Sequence, residues 1–168
     1  PRRRSRVRGW PRLGWYGGSA PAGGGGQFWE ADQAPRFVVV QFGSSAPRLG
    51  ALAARAFREN GVDAEPRPGK RDGAFCMPVR LDESRVFTNY KSTYGGMSTL
   101  AHELGHGYHN MNKADRTPLQ KATPITLAET ASILCETIVR HAAPTHTTPA
   151  HPLPNTKAPF PDTPPRKT

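Results

Sequence analysis

Two histidines with a glutamate between them are the residues of this chain best suited to do chemistry. They lie in the segment His102-Glu103-Leu104-Gly105-His106, so the histidines stand four residues apart. Residues at that spacing share one face of an α-helix, about 6 Å apart along its axis. Both imidazoles can therefore reach one tetrahedral zinc ion, while Glu103 stays close enough to contact a zinc-bound water. The pattern predicts a zinc site that hydrolyses peptide bonds, with Glu103 as the base that takes the proton of the water.

The residues around the histidines favour a helix with an apolar face. Leu100, Ala101 and Leu104 lie on that face together with Gly105. A helix whose histidines are ordinary exposed polar residues is the alternative interpretation. Gly105 and Gly107 each cost up to about 1 kcal/mol relative to alanine inside a helix. This cost predicts that another part of the molecule, or a ligand, approaches the helix closely.

A catalytic zinc ion needs a third protein ligand and one open position. His109 is one candidate, although a third ligand on the same helix would crowd the site. Glu129 is the better candidate, because a helix hairpin could bring it beside the histidine pair. Thr126 and Glu129 also match a capping box, in which the glutamate would instead accept a bond from a backbone N–H. Glu136 shares the helix face of Glu129 and could either hold a histidine N–H or be an ordinary surface glutamate.

The elements before the histidine segment follow from propensity and period. Residues 37–42 are rich in valine and phenylalanine and predict a strand. Apolar residues recur at helical spacing from Pro47 until Asn60-Gly61, which ends the helix. Residues 74–79 and 85–90 predict two further strands. We expect the second of them, which precedes the zinc-binding helix, to pair with an extended peptide.

Capping residues predict the limits of two helices. Gly95-Gly96 predicts a turn, after which Ser98 or Thr99 caps the helix that carries the histidines to about residue 110. Thr123 caps a final helix, with Pro124 in its favoured first position. That helix is expected to run without interruption over residues 125–140.

The composition divides the chain into three parts. Eighteen prolines and seventeen glycines cluster towards the two ends of the 168 residues. We expect a disordered basic, glycine-rich arm over residues 1–34, a catalytic domain over residues 35–140, and a proline-rich disordered tail over residues 141–168. Arginines in the arm supply much of the net charge of +10, and the centre is close to neutral. Nucleic-acid binding is therefore the alternative to a solvated arm, and the neutral centre argues against it.

Cysteine and apolar content restrict the class further. Cys76 and Cys135 are too few for a disulfide framework, and their apolar surroundings predict buried free thiols. No apolar run reaches the roughly 18 residues of a membrane span. The basic start lacks the apolar segment of a secretory signal. These features together predict a cytoplasmic protein without a membrane partner.

Several segments resemble one family of zinc peptidases. Residues 99–109, around the histidine pair, closely resemble the active-site helix of the oligoendopeptidase F family, which includes relatives of thimet oligopeptidase. Residues 69–76 resemble a glycine-rich segment of that family, and residues 86–90 resemble its substrate-side strand. Residues 127–132 resemble the segment with the third zinc ligand. The resemblance covers roughly residues 37–140, with the motifs in the same order.

The resemblance implies a fold, a metal and a set of site residues. The fold is mainly α with a small β-strand pair, a zincin-like catalytic core in which residues 37–42 begin a helix despite their strand propensity. One Zn²⁺ is implied, held by His102, His106 and Glu129, with Glu103 as the catalytic base. The implied activity is cytosolic cleavage of short peptides. The residues implied to contact substrate are Gly73, Ala74, Phe75, Asn89 and Tyr90.

The chain also departs from the family pattern. Family members are several times longer, and their helical channel walls have no counterpart here. A later family segment supplies a histidine and a tyrosine that assist the reaction, whereas His141, His146 and His151 lie in a different context. The resemblance therefore predicts an incomplete chain, with its oligomeric state left open. A non-catalytic zinc-binding remnant and a chain without a stable fold remain alternatives.

Overall fold

The computed structural model describes Trp29, residues 32–80 and residues 82–143. Most of the predicted arm and tail therefore lies outside the described residues, and so does any nucleic-acid binding by the arm. Within the described part the fold is mainly helical with a small sheet, as predicted. The elements in chain order are α1 (Gln33–Ser45), α2 (Pro47–Arg58), β1 (Val62–Asp63), β2 (Ala74–Pro78), β3 (Ser84–Thr88), α3 (Tyr94–Asn112), α4 (Pro118–Lys121), α5 (Ile125–Ala128) and α6 (Thr130–Ala142).

The sheet has three strands in the order β1-β3-β2, so β3 is central. β2 pairs antiparallel with β3, with Cys76 opposite Val86, and the short β1 pairs with β3 in parallel. The predicted strand pair corresponds to β2 and β3. Because β3 has a partner on each side, our expectation that it pairs with an extended peptide is wrong. Among the described strands, β2 is an edge strand: one side pairs with β3 and the other side is open. β2 also packs against helix α3.

Residues 37–42 form part of helix α1, so the strand predicted from propensity is wrong and the helix implied by the resemblance is correct. Ala34, Phe37, Val38 and Phe42 recur at helical spacing and are buried, whereas Val40 is 56% exposed on the other side. Strand propensity chiefly measures how well a side chain packs on a half-buried sheet surface. Burial of one helical face overrides that local preference here.

Helix α3 begins earlier than predicted, and Gly95-Gly96 is its first turn rather than a separate turn. Thr93 caps the helix, because its Oγ1 accepts a hydrogen bond of 3.1 Å from the amide of Gly96. A Cβ on Gly96 would overlap the carbonyl oxygen of Lys91. Glycine is thus required for close approach and not for a left-handed backbone, which explains the wrong prediction. Ser98 and Thr99, the predicted caps, lie inside the helix.

The predicted final helix is broken at Glu129 into α5 and α6. Thr123 does not cap it, because its Oγ1 instead accepts a hydrogen bond of 2.8 Å from Lys113 Nζ. Thr126 lies within α5, which has no side-chain cap, so the capping box that competed for Glu129 is absent. The break places Glu129 between the two helices, where its side chain reaches the histidine helix.

Helix α3 lies at the centre of the fold, with α6 on one side and β2 and β3 on another. Trp29 precedes the predicted domain boundary, yet it is 3% exposed and packs against Phe37 with ring centroids 4.7 Å apart. The hydroxyl of Tyr90 donates to the Trp29 carbonyl at 2.9 Å. Both cysteines are free; Cys135 is buried and Cys76 is partly buried. None of the helices in the described ranges combines the length and apolar character needed to cross a bilayer.

A buried lysine ties the loop between β1 and β2 to the sheet. The Lys70 side chain is 1% exposed, and its Nζ donates at 3.0 Å to both Asp63 Oδ1 and the Asp63 carbonyl. The same ammonium lies 4.7 Å from the ring centroid of Phe87. Hydrogen bonds from Arg67 and Lys70 hold the pKa of Asp63 well below its usual range. Charge and aromatic contacts thus hold this edge of the sheet in place.

Candidate metal centre

The histidine pair lies on one face of α3, as the spacing predicts. Nε2 of His102 and Nε2 of His106 are 3.2 Å apart. Each side chain is about a quarter exposed, at 24% and 23%. Burial is the main cause that lowers the pKa of His106, which favours the neutral ring that binds a metal.

Glu129 brings a carboxylate to the same point from the break between α5 and α6. Its Oε2 lies 3.1 Å from His102 Nε2 and 3.4 Å from His106 Nε2. These three side chains are the group of metal-type donors found among the described residues, and His109 is not a member. Burial lowers the pKa of His109, with a contribution also from Lys113, while a bond with the backbone of Ala128 opposes this.

Glu136, further along α6, contacts the first histidine. Its Oε1 lies 3.3 Å from His102 Nδ1, on the opposite side of the ring from Glu129. A proton on Nδ1 can donate to this carboxylate, which leaves the Nε2 lone pair directed at the shared point. Arg140 lies 3.8 Å from the other oxygen of Glu136.

Glu103 is buried beside the cluster with one oxygen left over. The residue is 6% exposed, and its Oε2 has no hydrogen-bond partner among the described residues. Burial raises the pKa of Glu103, and the charge of Glu129 adds to this, while His102 opposes it. A buried carboxylate without a partner is costly unless something else occupies the site. Its geometry suits a group that exchanges a proton with a small ligand.

The sequence did not single out Ser132 as part of the centre. Its Oγ lies 2.7 Å from Glu129 Oε2 and 3.0 Å from the Glu129 carbonyl oxygen. The hydrogen bond from Ser132 to the Glu129 carboxylate is the largest cause that lowers the pKa of Glu129. A serine three residues after a helix-breaking glutamate is a recognisable signal, but only if the break is known. The close approach that Gly105 predicted is made by this residue, since a Cβ on Gly105 would lie 2.6 Å from Ser132 Cα.

The five residues implied to contact substrate fall into two groups. Gly73, with φ of +106°, and Ala74 lie at the start of the edge strand β2, and the Asn89 amide donates to the Gly73 carbonyl at 3.3 Å. The other two have side chains that do not face the metal cluster. Phe75 stacks on the ring of Phe87, on the sheet face opposite that of Cys76, which lies beside α3. Tyr90 is 5% exposed in the core. Phe75 is 52% exposed, whereas Tyr90 is buried.

The donor set fits a catalytic zinc ion. Two imidazoles and one carboxylate are ligands found in zinc peptidases, and three protein ligands leave a coordination position for water or substrate. The unpartnered Glu103 oxygen adds the proton acceptor that such a site needs. Neither cysteine belongs to the cluster; burial raises the pKa of Cys76 to about 11 and that of Cys135 to about 12. The arrangement suits metal-assisted hydrolysis of an amide.

Comparison with known sequences gives a consistent family. The family model described as Peptidase family M3 matches residues 51–162. This match begins later than the resemblance over residues 37–140 and continues beyond residue 143, outside the described part. The chromosomal oligoendopeptidase F of Lactococcus lactis subsp. cremoris is 33% identical over 93 residues, which is 52% of this chain and 15% of that protein. An oligoendopeptidase F homolog of Borreliella burgdorferi is 36% identical over 84 residues, 49% of this chain and 14% of that protein.

Comparison with solved structures gives the same fold. A Bacillus anthracis str. Ames protein, solved as a candidate oligoendopeptidase F, superposes with a TM-score of 0.69 at 19% identity. That match covers 80% of this chain and 26% of the other. PZ peptidase A, solved with an inhibitor, has a TM-score of 0.70 at 19% identity, with 80% and 25% covered. At such identities the likeness establishes the fold alone. The chain spans about 15% of the length of its Lactococcus relative.

Proposed function

This chain belongs to peptidase family M3, and we propose that it carries the zinc centre of a metalloendopeptidase that hydrolyses short peptides. The observation that supports this most is the convergence of His102, His106 and Glu129 beside the buried Glu103. Because the chain spans only about 15% of a relative's length, the activity is proposed for this centre within a peptidase of that family. Short peptides as substrates and a cytoplasmic location are part of the same proposal.

The proposed ligands of a single Zn²⁺ are His102 and His106, through Nε2, and Glu129, through Oε2. When bound, zinc would supply a Lewis acid for the scissile carbonyl and for the attacking water. Glu136 keeps the His102 ring in the required orientation by accepting a hydrogen bond from its Nδ1–H.

Glu103 is the proposed general base. Its raised pKa brings the carboxylate closer to neutral pH, where transfer of a proton in both directions is efficient. The unpartnered Oε2 accepts the proton of the attacking water. The same oxygen then delivers that proton to the nitrogen of the leaving amine.

The proposed substrate lies along the open edge of β2 as an extended chain. Ala74 begins this edge, and its backbone groups can pair with a peptide in the manner of an added strand. The carbonyl of Gly73, just before the strand, already accepts from the backbone N–H of Asn89. Backbone pairing of this kind is insensitive to side chains, so it suits a peptidase with broad sequence tolerance. It also favours a short, extended substrate, because the peptide backbone must be free to pair along the strand.

Peptide cleavage tests the proposal directly. A quenched fluorescent peptide is incubated with the chain before and after chelation, and with Glu103→Gln. Glu103→Gln should lower the rate at least about 100-fold, since general acid–base catalysis contributes at least that much. Chelation should also abolish most of the activity, because it removes the Lewis acid that would polarise the carbonyl and the water. Cleavage that survives chelation and the substitution would overturn the proposed mechanism.

Metal content tests the ligand assignment separately. His106→Ala should lose zinc after dialysis, whereas His109→Ala, on the same helix but outside the cluster, should retain it. Equal zinc content in the two variants would contradict the assignment. Zinc retention by the unmodified chain without any peptide cleavage would instead favour a non-catalytic zinc-binding protein.

A further inference from the structure

We propose that Ser132 is a positioning residue for the third metal ligand, holding the Glu129 carboxylate against the histidine pair at a separation set by the contact between Gly105 and Ser132. The inference rests on the proposed function, since it assigns a role in metal binding to a residue that is not itself a ligand. Ser132 lies in the first turn of α6 and is 0% exposed.

The hydroxyl of Ser132 acts on the ligand atom itself. Its Oγ lies 2.7 Å from Glu129 Oε2, the same oxygen that lies 3.1 Å from His102 Nε2 and 3.4 Å from His106 Nε2. A carboxylate oxygen has lone pairs for both a hydroxyl donor and a metal. The bond from Ser132 therefore leaves this oxygen able to bind a metal while restricting where it can point.

Glu129 depends on this bond because packing does not hold it. Its side chain is 49% exposed and lies at the break between α5 and α6, outside both helices. The partners of its carboxylate found in the described residues are the two histidines and Ser132. Without the hydroxyl, a glutamate at such a position would sample several rotamers, and binding of the metal would have to select one.

The Gly105 contact fixes where Ser132 stands relative to the histidines. Gly105 lies between His102 and His106 on α3, and a Cβ there would be 2.6 Å from Ser132 Cα and 2.7 Å from the Ala131 carbonyl oxygen. The backbones of α3 and α6 thus touch at the residue that orients Glu129. This close contact therefore limits how far the histidine helix can stand from the third ligand.

The first experiment measures the zinc dissociation constant of the 168-residue chain by competition with a chromogenic chelator. Ser132→Ala should weaken zinc binding by about 10- to 100-fold, the usual effect of losing a residue that orients a ligand. Thr137→Ala is the matched control on the same helix. The Thr137 hydroxyl donates to the Ile133 carbonyl at 2.8 Å and not to Glu129. The control should bind zinc like the unmodified chain.

A double-mutant cycle separates positioning from a structural effect. In a Glu129→Ala background, Ser132→Ala should cause no further loss of zinc affinity, because the carboxylate that it orients is gone. An equal loss in both backgrounds would overturn the inference and assign the effect to helix packing. Thermal unfolding of each metal-free variant, with circular dichroism at 25 °C, checks that all of them fold.

The outcomes distinguish this inference from the proposed function. If the unmodified chain binds no zinc, the proposed function and the inference both fail. If it binds zinc and Ser132→Ala binds equally well, only the inference fails. Weaker binding that disappears in the Glu129→Ala background supports both.

Discussion

The two sides of helix α3 use glycine in opposite ways. On the side facing α6, a Cβ on Gly105 would lie 2.6 Å from the Cα of Ser132, so backbone meets backbone. On the side facing the sheet, a Cβ on Gly107 would lie 3.8 Å from Cys76 Sγ and 3.9 Å from Ser84 Cβ, which is ordinary van der Waals contact. The sequence alone predicts a close approach at both glycines. Only one of them has it.

The two sides of α3 differ in the groups that they bring together. On the α6 side, two donor atoms from α3 and one from Glu129, just before α6, lie 3.1 to 3.4 Å from each other. On the sheet side, side chains such as Cys76 meet the helix at ordinary van der Waals distances. The proposed metal ligation requires a close contact between backbones, whereas the supporting sheet does not.

Among these substitutions, Gly105→Ala should cause the largest change in stability, a destabilisation. The added methyl meets main-chain atoms, which cannot move out of the way by changing rotamer, so α6 must shift. We expect a loss of about 3 kcal/mol in the free energy of unfolding, at the upper end of overpacking effects. Thermal unfolding of the metal-free chain should show a midpoint lower by about 10 °C or more. An unchanged midpoint would show that the two helices do not touch as described.

Gly107→Ala should have a smaller effect of the opposite sign. The space around Gly107 accepts a methyl group, with Leu52 as its third neighbour at 3.9 Å. Replacing a glycine inside a helix by alanine removes a penalty of up to about 1 kcal/mol. The urea midpoint should rise slightly and zinc affinity should stay the same. Gly43→Ala, at an open helical position of α1, provides the reference for the propensity effect alone.

The sheet side should also show the smallest of the expected effects, a loss of stability in acid. The folded pKa of Asp63 is depressed by Arg67 and Lys70, so its contribution is fully present above the unfolded pKa of about 4 and is lost as the pH falls below it. Asp63 is 43% exposed, and solvent screening limits the contribution to about 1 kcal/mol or less.

Urea unfolding at several pH values measures this contribution. The difference in unfolding free energy between the unmodified chain and Asp63→Asn should be largest near pH 6 and should shrink below pH 4. Asp115→Asn, an exposed carboxylate on the loop after α3, is the control and should show little difference at any pH. A gap for Asp63→Asn that grows in acid would contradict the ion-pair assignment.

Local patterns correctly predicted the elements whose structure depends mainly on their own residues. The helix that carries His102 and His106 follows from periodicity, and so do α2 and the two main strands. The prediction failed where contacts with another part of the chain decided the local structure. Residues 37–42 became helical because one helical face is buried, and Gly96 entered a helix because the Lys91 carbonyl lies against it.

The candidate site divides along the same line. Its helical half, with Glu103 between two histidines, could be read from spacing, and the resemblance nominated Glu129. The role of Ser132 could not be predicted, because it depends on a helix break at Glu129 and on a contact with another helix. The open strand edge was assigned to the wrong strand, because strand order depends on pairing between distant segments.

The sequence by itself determined that two imidazoles and a carboxylate lie on one helix at metal-binding spacing, because helical geometry relates residues four apart without help from the rest of the chain. Tertiary structure alone decided that Glu129 reaches them, that Ser132 donates a hydrogen bond to it, and that β2 presents a free edge. Those features depend on which surfaces bury one another. Such contacts join residues far apart in sequence, and no local spacing encodes them.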